Sequence, residues 1–153
     1  MKNKTFLLLL LMLIICRDAD AQQTSTKKDL VKLTWIEGNW KGMDGNNPFY
    51  EIYKLANDST LEITSYEWDG IDSSKTSITR LQYKNDHYYL GDSLNWKVVD
   101  ISGNSIFIEP VYKAYNTILW KKRDQHTWEA ILESKKGRKI YVMEWVNHFA
   151  NKK

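Results

Sequence analysis

The sequence predicts an all-β protein: a single antiparallel up-and-down β-barrel of eight to ten strands, entered through a short N-terminal helix. Three observations predict it. Turn-forming clusters recur about every ten residues after Gly38, the runs between them are rich in Tyr, Trp, Ile, Val and Thr, and no segment after Leu33 repeats its apolar residues at a helical period. Strands joined by turns of roughly two to five residues pair with their sequence neighbours, because parallel pairing needs a longer crossover. A set of this size closes most simply on itself, which removes exposed edges.

The first 21 residues read as a secretory signal and the remainder, 22 to 153, as one domain. Lys2 and Lys4 form a basic start, residues 6 to 15 an apolar run, and Ala19-Asp20-Ala21 a small-x-small cleavage site. The apolar run is shorter than the roughly 20 residues that span a bilayer, and no later segment is a candidate for a transmembrane helix. The expected location is therefore secreted or periplasmic. A second reading, lipidation at Cys16, draws on Leu13-Ile14-Ile15-Cys16, although Ile15 stands where a small residue normally precedes the cysteine.

Cleavage near Ala21 would remove three basic and two acidic residues from a chain of net charge +3, which leaves +2. That near-neutral balance, with no basic stripe around short groups such as Lys121-Lys122-Arg123, argues against nucleic acid as a partner. The one cysteine, Cys16, lies in the signal, so disulfides, thiolate nucleophiles and cysteine-ligated metal are excluded from the mature domain. The core must supply the stability. All seven Trp and nine Tyr lie beyond the cleavage site, and each ring, once buried, removes about 150 to 250 Å² from water.

Residues 27 to 33 can form the lead-in helix. Trp35-Ile36-Glu37-Gly38-Asn39-Trp40 follows, where Gly38 lets the backbone bend and Trp40 supplies a ring to close a barrel floor. Strands are expected over residues 38 to 43, 49 to 55, 60 to 68, 75 to 84, 87 to 90, 94 to 101, 105 to 109, 115 to 122, 126 to 134 and 138 to 147. In the ninth, Trp128, Ala130 and Leu132 share a face that must point inward, since Thr127, Glu129 and Glu133 occupy the other. In the tenth both faces are largely apolar, so it is covered on both sides or borders an apolar cavity.

A helical lead-in, the Gly38-x-Trp40 motif and a meander of about ten strands resemble the lipocalin-like (calycin) superfamily, and within it the small secreted bacterial lipocalin-like domains. The resemblance implies that Trp40 packs at the closed end of the barrel and that a late basic residue, Arg123 or Arg138, covers it. Two features of the superfamily are missing: the disulfide common among lipocalins, and the Arg-x-Tyr pair with which fatty-acid-binding proteins hold a carboxylate. Arg138 and Tyr141, three apart, face opposite sides of a strand. Gly38-Asn39-Trp40-Lys41-Gly42 with Pro48 is similar also to the haem-binding nitrobindins, which would put haem on the late His148. An exposed terminal histidine is the simpler reading of that residue, and no cofactor is expected.

Candidate ligand-binding rings are Tyr66, Tyr89, Trp96, Trp128, Tyr141 and Trp145, which either line a cavity or fill a core. Glu67, Arg80 and Glu144 would form a polar group at the end of a cavity if all three pointed inward; otherwise they pair at the rim or face solvent. His87, His126 and His148 are scattered without metal-ligand spacing, and no Gly-x-Ser-x-Gly elbow marks a nucleophile. Three functions stay open. They are a secreted binding protein for a small apolar or amphipathic ligand; an enzyme in the same cavity, an isomerase, cyclase or haem catalyst using Glu67, Glu144 or His126; and a solid barrel with an outer interaction patch.

Overall fold

The computed structural model of the protein describes residues 26–68 and 73–147. The expected signal, Cys16 and His148 lie outside the described residues. The fold is all-β, a closed ten-stranded antiparallel up-and-down barrel with one short N-terminal 3-10 helix, Asp29–Ile36. The strands are β1 (Gly38–Asp44), β2 (Asn47–Asn57), β3 (Thr60–Trp68), β4 (Ser73–Lys84), β5 (His87–Leu90), β6 (Trp96–Ile101), β7 (Ser105–Pro110), β8 (Thr117–Lys122), β9 (Thr127–Ser134) and β10 (Gly137–Trp145). Each pairs with its sequence neighbours. β10 returns to β1 through Trp40 opposite Trp145 and Lys41 opposite Glu144, which closes the barrel.

The helix begins two residues later than the sequence suggests and is of the tighter kind. Its buried side chains explain this: Leu30, Leu33 and Ile36 are spaced by three, the interval at which 3-10 residues eclipse one another, and all are fully buried. That stripe packs against β6 at one end of the barrel. Asp29 holds the start by accepting the Thr26 N–H and pairing with Lys32 at 2.8 Å. Glu37 then ties the exit to the sheet, its Oε1 accepting the Leu55 N–H at 2.9 Å.

Gly38 follows with φ +133°, a conformation side chains rarely adopt, and a Cβ there would stand 3.1 Å from the Trp145 ring nitrogen. The bend drops Trp40 into the interior, where its Nε1–H donates to the Ile36 carbonyl at 2.6 Å. Helix and first strand are thus locked by one side chain. At the β4–β5 turn both Asn85 (φ 49°) and Asp86 (φ 62°) are left-handed, the pattern of a tight two-residue hairpin.

Antiparallel alternation puts the helix and the β2–β3, β4–β5, β6–β7 and β8–β9 turns at one end. That end is filled. Trp128 is its centre, meeting Trp35, Trp40, Tyr53 and Trp120 edge-to-face at ring separations of 6.3, 6.0, 5.5 and 5.9 Å. Such contacts favour the positive ring edge on the negative face and add about 0.5–1.5 kcal/mol per pair beyond burial. Of the two candidate basic residues, Arg123 lies at this end and pairs with the buried Glu129, while Arg138 lies exposed beside the β9–β10 turn at the other.

Candidate functional site

The opposite half of the barrel is not filled. Inward positions that carry Trp at the closed end carry smaller or polar residues here, among them Gly42, Ser65, Thr79 and Ala130, and a cavity of about 750 Å³ remains. Gly42 is required for its shape: a Cβ there would lie 2.2 Å from the Phe49 ring, which occupies that space and meets Tyr141 edge-to-face at 5.3 Å.

The walls differ in chemistry. β8 and β9 contribute Ile118, Trp120, Ala130 and Leu132, whereas β2 and β3 contribute Glu51, Ser65, Tyr66 and Glu67 beside Phe49 and Tyr53. A register shift between Ser65 and Tyr66 in the β3–β4 pairing lets consecutive residues 65 to 67 border the cavity, which strict alternation would forbid. At the mouth Lys139 Nζ holds Asp44 at 2.8 Å and lies 4.7 Å above the Tyr141 ring; hydrogen bonding to Asp44 first, and then to Tyr141, raises its pKa.

The acid deepest in the cavity is Glu51. Its Oε2 accepts the Tyr53 hydroxyl at 2.6 Å and its Oε1 the Ser65 hydroxyl at 3.4 Å. Burial pushes the Glu51 carboxyl above its ordinary value, against the opposing pull of those two hydrogen bonds. Burial also drives the Tyr53 phenol well up, and the neighbouring carboxylate adds to that shift. Sequence reasoning missed Glu51, though a signal existed: Phe49, Glu51 and Tyr53 alternate on one face of the second strand, an acid between two large rings.

Of the residues singled out in sequence, Tyr66, Glu67 and Tyr141 border the cavity. Trp128 and Trp145 lie at the closed end, the first in the ring cluster, the second over Gly38 and 5.9 Å from the His126 ring. Trp96 is half-buried and donates its Nε1–H to the Asn116 carbonyl at 2.9 Å, tying the start of β6 to the β7–β8 connection at the open end. Tyr89 points out beside His87, because Tyr88 and Leu90 take the inward positions.

The polar trio does not assemble. Arg80 follows the outward parity set by the buried Leu81 and pairs with Glu62 at 3.3 Å and Asp92 at 3.8 Å. Glu144 is exposed for the same reason, next to the inward Met143. Only Glu67 of the three borders the cavity. His126 is exposed in the β8–β9 turn, remote from it. Among the described residues no three His, Cys, Asp or Glu side chains come together as a metal site, and no helix is long and apolar enough to cross a membrane.

A solved structure of a variant of the fluorescent protein UnaG aligns with TM-score 0.51 at 8% sequence identity, covering 74% of this chain and 97% of that one. The likeness is one of fold, a closed antiparallel barrel. No protein-family model and no curated protein matches the sequence. At so low an identity the likeness carries the barrel fold and nothing of its contents, so the site rests on its own geometry.

Proposed function

We propose that this protein binds a small apolar or amphipathic molecule inside its calycin-like barrel, acting outside the cytoplasm after cleavage near Ala21. One observation carries the reading: the open half of the barrel holds about 750 Å³, within the roughly 300–1,000 Å³ of ligand pockets, and is lined by rings and aliphatics around a few polar groups. The volume counts against a solid barrel that works through an outer patch alone. The enzyme reading loses two of its three groups, since Glu144 and His126 are exposed outside the cavity. Affinity would come from displacing water from Phe49, Tyr141, Ile118 and Leu132, at about 25 cal/mol per Å² of apolar surface covered.

Native mass spectrometry of the purified protein, followed by titration with an environment-sensitive apolar dye, tests this. A retained small molecule, or saturable dye uptake that Ala130→Phe abolishes by filling the cavity, is the expected result. Neither adduct nor uptake by the folded protein overturns it.

A further inference from the structure

The apolar walls of the cavity leave the ligand's polar end unspecified, and the placement of Glu51 specifies it. A carboxylate offers about four acceptor positions. At Glu51 one is taken by a short bond from Tyr53 and another by a long one from Ser65, so acceptor capacity is left facing the cavity. The rest of the lining does not neutralise it. Asp44, Glu51 and Glu67 are the titratable acids there, with the phenols Tyr53, Tyr66 and Tyr141, and no Lys, Arg or His borders the cavity among the described residues. The nearest placed cation, Lys139, is held by Asp44 at the mouth. β8 and β9 bring no ionisable group to the lining at all.

A carboxylate-headed ligand would meet like charge at the bottom with no cation to receive it, and would have to be desolvated there. An ammonium meets the reverse. It gains a charge-assisted hydrogen bond to Glu51, the stronger kind, and lies close to the rings of Tyr53 and Trp120, which pack edge-to-face at 5.7 Å beneath it. Ile118, Ala130 and Leu132 give an apolar body a wall opposite the acid. Building on the proposal of a ligand-binding cavity, we infer that the ligand is an amphipathic amine, entering head first, its ammonium on Glu51 and its apolar body against β8 and β9.

Isothermal titration calorimetry with three probes of equal chain length, octylamine, 1-octanol and octanoate, tests the inference on the wild type and on Glu51→Gln. Octylamine is expected to bind about tenfold or more tightly than octanoate, the scale of one charge-assisted bond, with octanol between them. Glu51→Gln should remove most of that preference while the variant still takes up octanol, which shows that the cavity is intact. Octanoate binding as well as octylamine, or an amine preference that survives Glu51→Gln, overturns the inference and leaves the ligand-binding reading standing. Failure of all three probes to bind overturns both. Ser65→Ala, which keeps the charge, should preserve the amine preference, and its loss there would also overturn the assignment to Glu51.

Discussion

Tyr53 stands two residues beyond Glu51 on β2 and donates its phenolic hydrogen to Glu51 Oε2 at 2.6 Å, so an acid and its donor share the inward face of one strand. The pair sits at the boundary between the packed and the open halves of the barrel. Below it lies the Tyr53–Trp120–Trp128 ring cluster; above it lies the cavity. This one contact therefore couples the stability of the floor to the charge state of the site.

Glu51→Gln should stabilise the protein at neutral pH. Burial raises the native carboxyl's pKa, so its contribution is present below the ordinary value of 4.5 and is lost as pH rises through the raised one. At pH 7 the wild type buries a charge that glutamine does not have, while the amide oxygen can still accept from Tyr53. Thermal melts should show a Tm a few degrees higher for the variant at pH 7, on a scale of about 2–4 °C per kcal/mol. The gap should close toward pH 4, and a gap independent of pH would contradict the buried charge.

Gly38→Ala should destabilise the barrel by about 1–3 kcal/mol, the cost of holding a side chain at an unfavourable φ. The added methyl would also press on the Trp145 ring at 3.1 Å from Nε1. Trp145→Ala in the same background should recover the steric part and leave the backbone part. Urea denaturation of the two single variants and the double variant separates them, and full recovery in the double would show that φ plays no role.

Trp40→Phe and Trp128→Phe delete the same atoms from the same cluster, yet should cost different amounts. Trp40 Nε1–H satisfies the Ile36 carbonyl, which the substitution leaves buried without its donor, while Trp128 Nε1 is itself buried without a partner. An orphaned buried acceptor costs about 1–3 kcal/mol, whereas losing an unpaired donor removes a penalty. Denaturation midpoints should therefore fall further for Trp40→Phe; equal losses would imply that an ordered water serves Trp128.

Much of the fold was legible because its signals are local. Asn85-Asp86 reads as a tight turn and adopts two left-handed residues; Gly38-x-Trp40 reads as a bend followed by a floor ring and is one. The candidate site was less legible, and the residues show why. Alternation correctly put Tyr141, Met143 and Trp145 on one face, but Trp145 lies at the closed end and Tyr141 at the open one, since period two gives the face and not the depth. Ile140 and Val142, apolar on the opposite face, are about half exposed at 46% and 45%. Of the two expectations for this strand, cover on both sides or a border on a cavity, the second holds, since Tyr141 and Met143 line the cavity while the outer face stays open. The shift at Ser65 and Tyr66 depends on how β3 meets β4, which neither strand's sequence encodes alone.

Tyr88→Phe should weaken the protein at neutral pH and matter less in alkali. The Tyr88 hydroxyl donates to the Lys27 carbonyl at 2.7 Å, fastening the segment before the helix to β5, and losing such a bond costs about 0.5–1.5 kcal/mol. Burial pushes its ionisation up to about 12, from an ordinary 10.0. A raised native pKa means full stability below pH 10 and progressive loss between pH 10 and 12, as the unfolded chain ionises first. Phenylalanine has no such loss, and the other buried phenols titrate alike in both proteins. The difference in urea midpoint should therefore be largest at pH 7 and narrow from pH 10 upward; a difference constant to pH 11 would mean that Tyr88 ionises as freely folded as unfolded, and that the Lys27 contact does not hold it.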